Sequence, residues 1–190
     1  TRLPHPFSQF DRLTIAVTLV ALVWWAVTPP GPVTGVLAAL AAVLNLARQV
    51  RWQGLATRAE PLLWVMHLGY FWIPVGLALL ALGSWVPDVA QSSAIHALTV
   101  GVIGTMTLAV MSRAVLGHTN QPLHAGAGLV LAYCLVTAAA ILRISASLWA
   151  GAFLPLVSTA AMAWIVAFLF FLGVIGPVLM QRHLQHQAAA

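Results

Sequence analysis

The chain has 190 residues, of which 62% are apolar and only 6% charged, with a formal net charge of +5. So little polar surface cannot cover a water-soluble core, which excludes a soluble domain and predicts an all-α, polytopic transmembrane helix bundle. All eight basic residues are arginine, and Asp11, Glu60 and Asp88 are the acids; the arginines are scattered singly between apolar runs, so they form no nucleic-acid-binding patch.

A spanning helix needs about 20 apolar residues to cross about 30 Å of hydrocarbon, and six stretches meet that demand. After a linker-like segment over 1–10 that contains Leu3-Pro4-His5-Pro6, the first span covers about 11–28 and is stopped by Pro29-Pro30-Gly31. The second runs over 32–50. The third, 61–83, opens with Pro61 in the first turn, where proline is tolerated, and carries Pro74 as a source of a kink. Ser92-Ser93 forms a plausible cap before a fourth span over 94–116, closed by Gly117. The fifth covers 124–145. The last apolar run is too long for one perpendicular crossing, so Leu148–Leu154 reads as an interfacial piece and 155–180 as the sixth span, leaving 182–190 as a polar tail with His183 and His186. The chain starts at Thr1 rather than methionine, which reads as a piece of a longer protein.

Short arginine-bearing loops stay on the cytoplasmic side. With both termini there, Arg2, Arg12, Arg48, Arg51, Arg58, Arg113 and Arg182 are inside and Arg143 alone is outside. Trp24, Trp25, Trp85 and Trp149 then mark the outer interface, as an aromatic belt does. The lone Cys134 reads as a small buried hydrophobe.

Ionisable side chains within a span are costly, so each is a functional candidate. His67 lies about 9 Å below the start of the third span at 1.5 Å per residue, as a metal ligand or as a histidine hydrogen-bonded to a neighbouring helix. His96 and His118 stand about 33 Å apart on a continuous helix, at opposite membrane faces: His96 faces a cofactor or marks the interface, and His118 is a ligand or a helix-end cation. Arg113 and Arg143 either snorkel or pair with an anionic cofactor group such as a propionate. Met66, Met106 and Met111 are soft donors, though methionine in apolar helices is usually packing. Ala97, Gly101, Thr105 and Ala109 line one helix face with small residues, suited to close helix contact or to a flat macrocycle.

His96-Ala-Leu-Thr-Val-Gly, then Gly104-Thr-Met-Thr-Leu-Ala-Val-Met, Arg113 and Gly117-His118-Thr119, together with Leu63-Trp64-x-x-His67-x-Gly69-Tyr70 and the segment Trp164 to Pro177, resemble the NnrS family. That resemblance implies a bacterial inner-membrane protein containing haem and copper and acting in the response to nitric oxide. It implies His67, His96 and His118 as metal positions, with Arg113 beside the cofactor, and partners in the lipid bilayer and in an N-terminal half of the same protein absent from this chain. After the Gly-His-Thr motif the family's Gly-Arg is replaced by Asn120-Gln121, so no anion-binding arginine is implied in that loop. The alternatives from the residues themselves are a bundle that transports a small metabolite or metal complex, and a membrane anchor for a respiratory partner.

Overall fold

The computed structural model describes residues 5–188, with side chains described as far as residue 181. Arg2 therefore lies outside the described residues, and the side chains of Arg182, His183 and His186 lie outside the described ones. Six helices are long and apolar enough to cross a membrane: α1 (Gln9–Val27), α2 (Pro32–Arg51), α3 (Pro61–Trp85), α4 (Gln91–His118), α5 (Ala127–Leu148) and α6 (Phe153–Ala188). Single 3-10 turns, Gly54–Thr57 and Ala150–Ala152, precede α3 and α6. The predicted all-α bundle of six spans is the observed one.

Local chemistry sets most of the ends. Thr28 closes α1, its hydroxyl donating to the Trp24 carbonyl at 2.6 Å, and α2 starts at Pro32 after the Pro-Pro-Gly break. Helix α3 runs unbroken through the buried Pro74 and past Gly83. A Cβ at Gly83 would come within 2.8 Å of the Val89 carbonyl oxygen, so this glycine admits the returning loop rather than ending the helix. Helix α4 begins at Gln91 with Ala90 as its cap; the Ser92-Ser93 cap is not formed, and Ser93 is buried inside the helix with its hydroxyl unpaired. Its far end passes Gly117 and takes in His118. Helix α5 starts three residues later than the sequence predicts, because Gly126 is its cap and His124 stays in the loop.

Helix α3 is the most enclosed span and α1 and α6 are among the least. Small residues carry the contacts on its α1–α2 side, where Ala21, Ala41 and Ala42 meet Leu77 and Ala38 meets Leu80 and Ala81. This is how helices associate where lipid offers no hydrophobic driving force. On the other side Leu62, Val65, Leu108, Leu129, Tyr133 and Phe171 join α3, α4, α5 and α6. Large apolar side chains such as Val23, Val43, Leu154 and Leu169 point outward along the spans, as a bilayer requires. Cys134 is exposed on α5 rather than buried, one of these lipid-facing positions.

Helix α4 is not uniformly α-helical. Ala97–Gly104 is wound as a π-helix, and the Thr105 amide that leaves it is shared between the Gly101 and Val102 carbonyls. Two glycines in this segment meet indoles: a Cβ on Gly101 would lie 2.6 Å from the Trp72 ring, and one on Gly104 would meet the Trp164 ring. Long π-helical stretches are rare and occur mostly where a site or a packing demand sustains them; here the wider winding presents bare backbone to two large rings.

Candidate functional site

The C-terminal half of α2 and its cap carry Asn45, Arg48, Gln49 and Trp52 at the spacing of one helix face, and this face builds the polar part of the molecule. The Arg48 Nε donates to the Asp11 carboxylate at 2.9 Å, the only ion pair among the described residues. Asp11 is fixed in turn at the start of α1, where the Ser8 amide and hydroxyl donate to it at 2.8 and 2.9 Å. A second guanidinium nitrogen of Arg48 donates to the Tyr70 oxygen at 3.3 Å, and the Tyr70 hydroxyl donates to Asn45 Oδ1 at 2.6 Å. Asn45 completes the chain by donating to Thr18 Oγ1 at 2.7 Å and to the Ala41 carbonyl at 2.8 Å. Arg48 also lies 4.9 Å from the Trp52 ring centroid, a cation–π distance. Every member of this network has a partner, which is the condition for tolerating charge away from water. Arg48 is therefore a paired network residue rather than a free interfacial cation.

His67 stands beside this network. Its ring centroid is 6.2 Å from that of Trp52, whose own ring is 4.5 Å from Tyr70. Gln49 Nε2 donates to the His67 backbone carbonyl at 2.6 Å, while Gln49 Oε1 and His67 Nδ1 are both buried without a partner. Gly54 covers the ring: a Cβ there would stand 2.9 Å from His67 Cγ and Nδ1. Gln53 before it takes the left-handed conformation, φ 56°, that brings the turn over the helix. Between α2, this turn and α3 lies a pocket of about 710 Å³, with Leu46, Val50, Leu55, Trp64, Leu68 and Phe71 as its apolar lining and Gln49, Gln53, Arg58 and His67 as its polar one. Its size and its few polar groups on apolar walls are those of a cofactor or small-molecule site.

The other sequence-predicted residues are not brought to this pocket. Arg113 and His118 share a separate groove of about 450 Å³ with Met66, on the α4 side of α3. His96 lines neither cavity, and it precedes the π-helical segment at the far end of α4. Arg143 lines a third cavity, where its Nη1 donates to Ser147 Oγ at 3.3 Å and its guanidinium lies 5.9 Å from the Phe153 ring. Met106 packs over Gly69 and Met111 is exposed. The small-residue face of α4 is buried at Ala97, Gly101, Thr105 and Ala109, and Trp72 fills the space beside Gly101. It serves close packing between α3 and α4.

The pocket beside His67 fits a haem. It offers an unpartnered imidazole, apolar walls for a porphyrin, and in Arg58 a guanidinium suited to a carboxylate. Copper does not fit in the same way: such centres need several nitrogen or sulfur ligands, and among the described residues no three His, Cys, Asp or Glu side chains converge. Sequence reasoning missed Asn45, Gln49, the Asp11–Arg48 pair and Gly54. The signal available was the polar stripe along an otherwise apolar α2.

Against known proteins, a family model described as NnrS protein matches residues 1–183. It spans nearly the whole chain and gives no support to a half missing upstream. No curated protein and no solved structure matches.

Proposed function

Since the chain belongs to the NnrS family, we propose that this multi-pass membrane protein is a haem-bearing component of the bacterial nitric oxide response, seated in the inner membrane, with His67 as the residue that would hold the iron. The observation that carries the reading is the half-buried His67 on the wall of the pocket between α2 and α3; its Nδ1 is buried under Gly54, which leaves Nε2 as the nitrogen a group in the pocket would meet. Haem iron, when bound, supplies a position at which a diatomic ligand can coordinate.

The residues around it have separable tasks. Gln49, anchored on the His67 carbonyl, fixes α2 against α3 at the depth of the imidazole. Gly54 lets the turn close over the ring, and Leu46, Val50, Trp64 and Phe71 would keep water from a macrocycle held in the pocket. Arg58, on the lining of the pocket, would neutralise a carboxylate of the group. His96 and His118, which stand away from this pocket, are secondary positions in the reading, and no reaction is assigned.

The test is the optical spectrum of the detergent-purified protein loaded with haem. A reduced Soret and alpha band is expected in the wild type and lost in His67→Ala, with Arg58→Gln reducing occupancy. An unchanged spectrum in His67→Ala sinks the assignment. For orientation we propose both termini on the cytoplasmic side. In a Cys134→Ser background, cysteine at Gln53 then resists a membrane-impermeant label in intact cells while cysteine at Gln91 reacts; the opposite pattern inverts the bundle.

A further inference from the structure

We infer that the groove between the end of α4 and α3 binds the phosphate headgroup of an anionic phospholipid. Val110, Arg113, Ala114, Gly117 and His118 recur at the spacing of one helix face, and with Met66 of α3 they line a cavity of about 450 Å³. This face is turned outward: Val110, Ala114, Gly117 and His118 are exposed and Arg113 half-buried. A Cβ on Gly117 would meet nothing closer than a Leu123 methyl at 3.9 Å, so the surface there is open.

From mid-helix toward the end of α4 the groove passes from the apolar Val110 to Arg113, Ala114, Gly117 and His118. An acyl chain can lie along the first part while its phosphate reaches the second, at the depth where the span ends and headgroups begin. Among the described residues Arg113 has no ion-pair partner. Of the acids on this end of the bundle, Asp11 is taken by Arg48, and Glu60 accepts from the Leu62 amide that starts α3. Nothing anionic in the described fold answers the arginine. Basic pockets between transmembrane helices are recognised sites for anionic headgroups. The C-terminal end of α4 presents carbonyls, whose partial charge repels an anion, so attraction comes from the Arg113 guanidinium, with the His118 imidazole as a further hydrogen-bonding group, and Arg113 is indispensable.

The experiment is electron paramagnetic resonance of chain-labelled phosphatidylglycerol and phosphatidylcholine around the whole protein in bilayers. The wild type is expected to hold a motionally restricted phosphatidylglycerol population with about fivefold preference over phosphatidylcholine for each cation engaged. Arg113→Gln abolishes the preference, His118→Gln reduces it, and Arg113→Lys keeps most of it with an unchanged melting profile. Equal restriction of both lipids in the wild type, or a preference that survives Arg113→Gln, overturns the inference. Displacement of the labelled lipid by millimolar inorganic phosphate also overturns it, since the site would then serve a soluble anion.

Discussion

The two flanks of α3 hold their neighbours by different physics. Toward α1 and α2 small-residue packing is supplemented by a directional network, Asp11, Arg48, Asn45 and Thr18 joined to Tyr70 of α3 by hydrogen bonds of 2.6 to 3.3 Å. Toward α4 the contact is a matter of shape, with Trp72 on Gly101, Leu98 on Gly76 and Met106 on Gly69. The first flank fixes register, because a shift of one residue would strand a charge in hydrocarbon. The second fixes distance, because the missing Cβ atoms let large side chains reach the backbone. The pocket belongs to the directional flank, where Gln49 ties α2 to His67.

Removing one ion-pair partner breaks the directional flank most severely. Asp11→Ala leaves Arg48 uncompensated and is expected to cost about 3–5 kcal/mol, read as a shift in the mixed-micelle unfolding midpoint. The double variant Asp11→Ala with Arg48→Met is expected to be more stable than Asp11→Ala alone, and equal stability would show that the pair contributes little. Next comes the shape-based flank, where Gly101→Val drives a side chain into Trp72 and costs about 1–3 kcal/mol by overpacking. A neutral result would mean that the π-helical segment yields freely. Asn45→Ala sharpens the contrast with a smaller loss, about 0.6–1.7 kcal/mol, the range measured for hydrogen bonds between transmembrane helices. Gly54→Ala pushes a Cβ into the His67 ring and is expected to cost about 1 kcal/mol by overpacking and to move the Soret band of the haem-loaded protein. An unmoved band would detach Gly54 from the site.

The bundle was legible because its cause is compositional. Long apolar runs and proline breaks act locally, so six spans could be placed with ends in error by a few residues. Those errors share a reason: Gly83, Gly117 and Ser93 have local helix-end chemistry, and tertiary packing overrides it. The site was legible only in His67. Asp11 and Arg48 are 37 positions apart, and read singly they look like an interfacial acid and a topology marker. Their pairing depends on α1 and α2 lying side by side. The π-helical segment left no periodic mark, since a change of winding is a response to Trp72 and Trp164 rather than a preference of its own residues. His96 and His118 were expected at opposite ends of one span from helix length alone, and α4 carries them so.

The Asp11–Arg48 pair also bears on how the chain enters a membrane. Neither group can cross into lipid alone at low cost, and each finds its counter-charge only on the adjoining helix, four residues of turn away. Helices α1 and α2 are thus expected to be inserted as a single hairpin, electrically neutral at this pair. The topogenic signal then falls to Arg12, Arg51 and Arg58, so reversing those three charges should perturb biogenesis more than altering Arg48, whose charge is already spoken for before the third helix arrives.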